Sequence, residues 1–338
     1  MATTIIDVAQ KAQVSISTVS KYLNGGNVRD QNRKKIEKAI RDLNYHPNRA
    51  AQGLKGNHTF QIGLLINNLT MPYTANLTEQ FVDYIDEKGY HTIIASHHDS
   101  KEQAEKALSL LINRQVDGII YIPFGSKKPL SSMINTPIPL VAFDRIEPYP
   151  CDAVSSNGAT AVYQAVEHLV HRGHRRIAIL TGCESQTAVR FNAQNRLSGY
   201  LRALEDYMIP AEKELIIDGD FTTDSGYAGI EKLLQLDRLP TAVIVTNYYM
   251  VVGALRCFNM HRIRIPGEIS FIAFDDMPLN RVFQPRITSI RQPTSKIVKS
   301  SVDLLLKRIS GDYQSYPEIL HFPCELISRN SVKNLYQI

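Results

Sequence analysis

Residues 4–44 carry three short apolar runs at helical spacing, with too few apolar side chains for more than a miniature core. Ile5, Val8, Ala9 and Ala12 line one face of a first helix. Thr4 with Asp7 three residues on is the capping pattern that starts it. Val14 falls in a turn, and Ser15 caps a second helix over 16–23 that buries Val19 and Leu23. A third helix over 30–44 buries Ile36, Ala39, Ile40 and Leu43. A core this small is marginal by itself, and its plan is that of a helix-turn-helix, whose second helix enters the major groove of DNA.

Charge agrees with that reading. Residues 1–58 hold ten Lys/Arg against four Asp/Glu, a net +6, so the other 280 residues sum to −1 of the chain's +5. All the excess positive charge sits where a phosphate-binding module needs it. At the start of the second helix, Ile16, Ser17, Thr18 and Lys21 are placed for base edges. Lys21 can donate to guanine O6 or N7, Ser17 can bond either way, and Ile16 can pack on a thymine methyl. Ser15, Thr18, Ser20 and Asn24 suit phosphate oxygens. The bland alternative is a solvated basic face on which Ser and Thr only cap, and the number of agreeing positions weighs against it.

The run from Pro47 to Leu54 has the length of two helical turns, with Pro47 at its start and Asn48 as cap. Two turns do not hold in water alone, so the segment is expected to order only on DNA. Gly53 loosens it by about 1 kcal/mol.

From Phe60 onward the pattern changes. Short apolar runs at 61–66, 92–95, 118–122, 139–143, 176–180, 242–245 and 269–274 predict strands. Amphipathic segments at 77–88, 101–115, 159–172, 193–207, 225–236 and 250–260 predict helices between most of them. Strands apolar on both faces with intervening helices mean parallel sheets, and 280 residues suit two doubly wound α/β lobes rather than one. The fold expected is a small all-α helix-turn-helix head on an α/β body. Its parts are a DNA-binding domain at 1–46, a hinge helix and linker at 47–58, and an effector-binding and dimerisation body at 59–338. The first lobe takes roughly 59–158 and 291–320, and the second roughly 159–290 and 321–338.

Ligands in such folds sit at the C-terminal ends of strands. Tyr73, Asp144, Arg145, Arg190, Asn192, Arg196, Phe221, Asn247 and Asp275 follow strand ends here. Carboxylates and guanidinium forks for hydroxyls, with an aromatic face for C–H groups, are what a sugar needs. Arg145 and Arg190 tilt the expectation towards a sugar acid or sugar phosphate.

The head resembles that of the lactose-repressor/galactose-repressor family of bacterial transcription regulators. The pattern D-V-A-x-x-A-x-V-S-x-x-T-V-S-x-x-L-N is matched at Asp7, Val8, Ala9, Ala12, Val14, Ser15, Thr18, Val19, Ser20, Leu23 and Asn24. The likeness continues through Gly173-His174-Arg175-Arg176-Ile177-Ala178, Arg196-Leu197-Ser198-Gly199-Tyr200 and Ile269 to Asp276. It implies a periplasmic-binding-protein-like body. It also implies a hinge helix that sets Leu54 as a minor-groove wedge beside Asn48 and Gln52, and an effector held by Arg196 and Asp275 with Phe221 as platform. Departures are Gln13 where the family has Gly in the turn, Lys21 for Arg, Thr74 after Tyr73 for paired aromatics, Asn157-Gly158, and Asn247-Tyr248.

The resemblance implies a homodimeric repressor of carbohydrate-utilisation genes that leaves its operator when a sugar-type effector binds. A corepressor-dependent repressor and a solute-binding protein are the alternatives. No G-x-G-x-x-G, G-K-[ST], G-x-S-x-G or H-E-x-x-H motif occurs, so an enzyme is not expected. Cys151, Cys183, Cys257 and Cys324 are scattered and imply reduced intracellular thiols, with no metal and no cofactor expected. The chain has no apolar run near 18 residues and no signal-peptide pattern, which implies a cytoplasmic protein without a membrane partner. His168 and His174 are expected to be structural.

Overall fold

The computed structural model describes residues 3–23, 26–45, 58–123, 136, 138–144, 151–182 and 190–336. They form two units, divided after Phe60.

The first unit is built on α1 (Ile5–Ala12), α2 (Ile16–Leu23) and α3 (Asp30–Asp42). The capping box closes as predicted. The Asp7 carboxylate accepts from the Thr4 N–H at 2.7 Å, and the Thr4 hydroxyl accepts from the Asp7 N–H at 3.4 Å. Gln13 occupies the left-handed region at φ 55°, ψ 45°, where its chain turns between α1 and α2. Ser15 caps α2, its hydroxyl accepting from the Thr18 N–H at 3.2 Å. The core is Val8, Ala9, Ala12, Val19, Ile36 and Ala39, with Val28 and Tyr45 added. Ile5, Leu23, Ile40 and Leu43 are only half-buried. α3 stops two residues before the predicted 44. Asn44 turns left-handed at φ 45°, and the Tyr45 N–H reaches the Ile40 carbonyl at 3.0 Å, which folds the Tyr45 ring back into the core.

The second unit contains two six-stranded sheets. The first holds β1 (Gln61–Ile66), β2 (His91–Ser96), β3 (Gly118–Tyr121), β4 (Leu140–Phe143), β5 (Asp152–Ser156) and β11 (Ile319–Phe322), in the order β11-β5-β4-β3-β1-β2. The second holds β6 (Ile177–Gly182), β7 (Ile216–Gly219), β8 (Ala242–Val245), β9 (Ser270–Phe274), β10 (Thr288–Arg291) and β12 (Glu325–Ile327), in the order β12-β10-β9-β8-β6-β7. All neighbours are parallel except β10 and β12. The helices are α4 (Pro72–Glu87), α5 (Lys101–Asn113), α6 (Gly158–Val170), α7 (Arg190–Asp206), α8 (Thr223–Leu234), α9 (Tyr248–Met260), α10 (Pro278–Val282) and α11 (Thr294–Ile309).

The apolar runs match β1 and β8 to the residue, and they leave β5, β10, β11, β12, α10 and α11 unmarked. In β5 and β10 Ser155 and Ser289 are buried too, because each has a partner: the Ser155 hydroxyl pairs with His321 Nδ1 at 2.9 Å, and the Ser289 hydroxyl donates to Asp276 at 2.7 Å. Strand ends sharpen two of the approximate lobe limits. The expected break at 320/321 falls inside β11, which runs to Phe322 because that residue registers with Ser156 of β5. The break at 290/291 falls inside β10, where Arg291 registers with Glu325. The chain therefore passes between the sheets just after β5, β10 and β11.

α6 and α7 pack backbone to backbone. A Cβ at Gly199 would sit 2.0 Å from the Ala159 carbonyl oxygen, so only glycine fits. One residue on, the Tyr200 hydroxyl donates to the Ile177 carbonyl at 2.8 Å. Gly199 and Tyr200 thus fix the rotation of α7 that turns Arg196 towards the strand ends.

Candidate effector cleft and nucleic-acid interface

A cavity of about 700 Å³ opens at the C-terminal ends of the strands. Seven of the nine predicted ligand residues line it. Tyr73 comes from α4 and Asp144 from the end of β4. Asn192 and Arg196 come from α7. Phe221, Asn247 and Asp275 follow β7, β8 and β9. Arg145 and the Arg190 side chain lie outside the described residues.

A hydrogen-bonded chain runs along the cavity wall. Tyr73 donates to Gln292 Oε1 at 3.1 Å, Ser156 donates to the same oxygen, and Gln292 Nε2 donates to Asp275 Oδ1 at 2.7 Å. Burial pushes the Asp275 carboxyl above its ordinary value; Arg196 and the Gln292 amide oppose this, and the Asp144 charge adds to it. Burial, then Asp144 and Asp275, raise the Tyr73 phenol well above its usual range. The Arg196 guanidinium lies 3.7 Å over the Phe274 ring and donates to the Thr246 carbonyl. Its plane is fixed before any ligand arrives.

Four lining residues hold left-handed backbone: Asp99 (φ 55°), Asp144 (φ 67°), Phe221 (φ 64°) and Asp275 (φ 73°). Asp tolerates that region, whereas a bulky residue such as Phe does not without compensation. Strain of this kind collects where side chains must be aimed. The Asp275 carbonyl is held from below by Asn280 Nδ2 at 2.7 Å and by the Met277 N–H at 3.1 Å. Asn247 Oδ1 caps α9 through the N–H groups of Tyr249 and Met250.

Among the described residues two hydrogen bonds cross the cleft directly. Tyr249 donates to the Thr70 carbonyl at 2.6 Å, and Asn192 Nδ2 donates to Asp144 Oδ2 at 3.0 Å. Thr70, Asp220, Tyr249 and Gln292 line the cavity without having been singled out as ligand residues. Asp220 was legible, adjacent to Phe221. Gln292 was not, because it follows β10, a strand that the apolar pattern does not mark.

Just beyond the wall, Asp276 accepts from Arg291 and Arg329 at 2.7 Å each and from Ser289 at 2.7 Å. Burial would raise its carboxyl, but these hydrogen bonds outweigh burial and hold it at about 2. His174 is structural, as expected: Nδ1 pairs with the Thr241 hydroxyl at 2.9 Å and Nε2 with the Lys333 carbonyl at 3.0 Å. Among the described residues no cluster of His, Cys, Asp and Glu is arranged to hold a metal ion, and no helix is long and apolar enough to cross a membrane.

In the head, Val19 is the one buried residue of α2. Ser15, Ile16, Ser17 and Lys21 are exposed, and Thr18 and Ser20 are half-exposed. The Ser15 hydroxyl also pairs with those of Ser17 and Thr18, at 2.8 Å each. α3 turns Arg33, Lys34, Lys35, Lys38 and Arg41 to solvent. Asn24, Asn48, Gln52 and Leu54 lie outside the described residues.

Residues 4–48 match the model of bacterial regulatory proteins of the lacI family, and residues 166–332 match a periplasmic binding protein-like domain. The HTH-type transcriptional repressor PurR of Actinobacillus pleuropneumoniae serotype 3 (strain JL03) is 31% identical over 98% of this chain and 99% of its own. Among solved structures, the Lac repressor dimer bound to operator and the anti-inducer ONPF superposes with a TM-score of 0.83 at 27% identity, covering 98% of this chain and 100% of that one. The complex of the transcriptional regulator CelR with cellobiose gives 0.73 at 28% identity, covering 97% and 99%.

Proposed function

The chain belongs to the lacI family of bacterial regulatory proteins, and we propose that it is a homodimeric repressor released from its operator by a small sugar-type effector bound in the cleft. It is a DNA-binding transcriptional repressor with an effector-binding body, in a family of regulators rather than enzymes. One relative of known structure is a dimer on operator DNA and another holds cellobiose, which supports both partners here.

For the head, the exposed face of α2 supports base contacts from Ile16, Ser17, Thr18 and Lys21, with Ser15 and Ser20 on phosphates. Asn24, Asn48, Gln52 and Leu54 complete the proposed DNA contacts, the last three from the hinge. Each protomer reads one half of a pseudo-palindromic site.

The observation that carries the effector reading is the convergence of Arg196, Asp275 and Phe221 in one cavity. It joins a bidentate donor, an acceptor and an apolar face. Among the described lining residues, the carboxyl groups of Asp99, Asp144, Asp220 and Asp275 face the single guanidinium of Arg196. Those carboxyl groups support a ligand rich in hydroxyls, and Arg145 and Arg190, which lean towards a sugar acid or phosphate, lie outside the described residues. Effector binding lowers operator affinity only by as much as the effector prefers the DNA-free state.

Arg196→Ala is expected to abolish the effector response in a gel shift on an operator selected in vitro, with effector-free DNA affinity changed by less than about threefold. Loss of operator binding by a variant of unchanged Tm would refute the assignment of Arg196.

A further inference from the structure

Of the two hydrogen bonds described across the cleft, the one from Tyr249 to the Thr70 carbonyl, 2.6 Å long, engages none of the residues assigned to the effector. We propose that Tyr249 is a positioning residue, whose hydroxyl latches the two lobes together and so weights the arrangement in which an effector is enclosed. The proposal rests on the effector reading above and names the side chain that sets lobe closure for it.

Both ends of the latch are held in place before they meet. On the first lobe, Asn68 Oδ1 accepts from the Thr70 N–H at 2.8 Å and from the Thr70 hydroxyl at 2.9 Å. This Asx turn fixes the residue that presents the carbonyl. On the second lobe, Tyr249 stands in the first turn of α9, and its N–H donates to Asn247 Oδ1 at 2.9 Å. The Tyr248 and Tyr249 rings pack edge to face, 63° apart with centroids 5.6 Å apart. Little conformational freedom is left to lose when the phenol meets the carbonyl, and that favours the bond.

The other crossing bond joins Asn192 to Asp144 at 3.0 Å, and both of these groups are assigned to the effector. A ligand that takes them exchanges one bond for others. Tyr249 and Thr70 border the same cavity but satisfy each other, so their bond stays closed while a ligand fills the space beside it. Latch and ligand therefore add. The effector residues come from both lobes, Tyr73 and Asp144 from one and Arg196, Phe221 and Asp275 from the other. A ligand that touches both sets prefers latched lobes to parted ones, and whatever stabilises the latched lobes raises its apparent affinity. The bond faces solvent, so water competes for both of its ends. Its net effect is that of one ordinary hydrogen bond, about two- to tenfold in the ratio of latched to parted lobes.

The test compares the full-length wild type with Tyr249→Phe, which keeps the ring and removes the donor. Hydrogen exchange of the effector-free protein, read by mass spectrometry, should quicken on both sides of the cleft, around Asn192 and Asp144 as well as around Thr70. With glucose, ribose and cellobiose as calorimetric probes, a sugar that binds the wild type should bind the variant about two- to tenfold more weakly. Operator affinity without effector should tighten by no more than that factor, because the two equilibria are linked. Asn68→Ala, which loosens the carbonyl from the other lobe, should act in the same direction, and the double variant should lose no more than the larger single loss. Asn68→Ala carries the decision if Tyr249→Phe folds poorly. Exchange unchanged around Asn192 and Asp144, or losses that add in the double variant, would overturn the latch. Operator affinity that falls while exchange quickens would leave the latch standing and overturn release by the effector.

Discussion

Gln13 holds φ 55°, ψ 45° at the helix turn of the head, a conformation that a side chain disfavours by about 1 kcal/mol or more and glycine does not. Gln13→Gly should raise the stability of the head by somewhat under 1 kcal/mol, since glycine also loses more backbone entropy. A rise in the Tm of the helical head, followed by circular dichroism, checks it; a fall would mean that the Gln13 side chain does more than fill a turn. Asp276 makes a residue-scale prediction about acid. Its folded carboxyl stands at about 2, below the unfolded value near 4. Its contribution is therefore complete above about pH 4 and lost as pH falls through 2. Asp276→Asn should flatten the stability profile over that window and cost about 1–2 kcal/mol at neutral pH, after discount for water around the partly exposed Arg291. Acid titration of unfolding in urea, wild type against variant, reads both effects.

At the scale of elements, the return leg α11–β11 is fastened to the first sheet by one buried ion pair. Arg308 on α11 donates through Nε to Asp152 Oδ2 at 2.7 Å and through Nη2 to Oδ1 at 3.0 Å, and both side chains are 1% exposed or less. Asp152 also accepts from the Glu318 N–H at 2.7 Å, just ahead of β11. Arg308→Met removes one partner and leaves a buried carboxylate uncompensated, for an expected loss of about 3–5 kcal/mol. Adding Asp152→Leu should restore most of it. Equilibrium unfolding of the two single variants and the double variant measures the coupling, and additive losses would show that the pair does not act as a unit. This leg was poorly legible in the sequence, because β11 exposes Ile319 and half-buries Leu320 and Phe322 and so carries no continuous apolar run. Central strands such as β8, buried along its whole length, announced themselves.

For the whole molecule, the charge division sets the behaviour on DNA. A head of +6 on a body of −1 binds through counterion release, so the logarithm of affinity should fall linearly and steeply with the logarithm of salt. With Lys21 proposed at a base edge, Lys21→Ala should lose about 1–3 kcal/mol on the selected operator and much less on random duplex. Fluorescence anisotropy on the two DNAs at several salt concentrations separates the cases. An equal loss on both would move Lys21 to the phosphate backbone.

What the sequence determined by itself was local. Helical spacing, a Thr-Asp cap and a basic bias specify the three-helix head, and apolar runs with polar groups at their ends place seven side chains around one cavity. Only tertiary structure decided how that cavity is closed. Tyr73 meets Gln292 across 219 positions and Tyr249 meets Thr70 across 179, while Asn192 meets Asp144 across 48. Single polar pairs at such separations have no period and no flanking signal. They exist because two sheets, folded from interleaved stretches of chain, bring their strand ends to the same place.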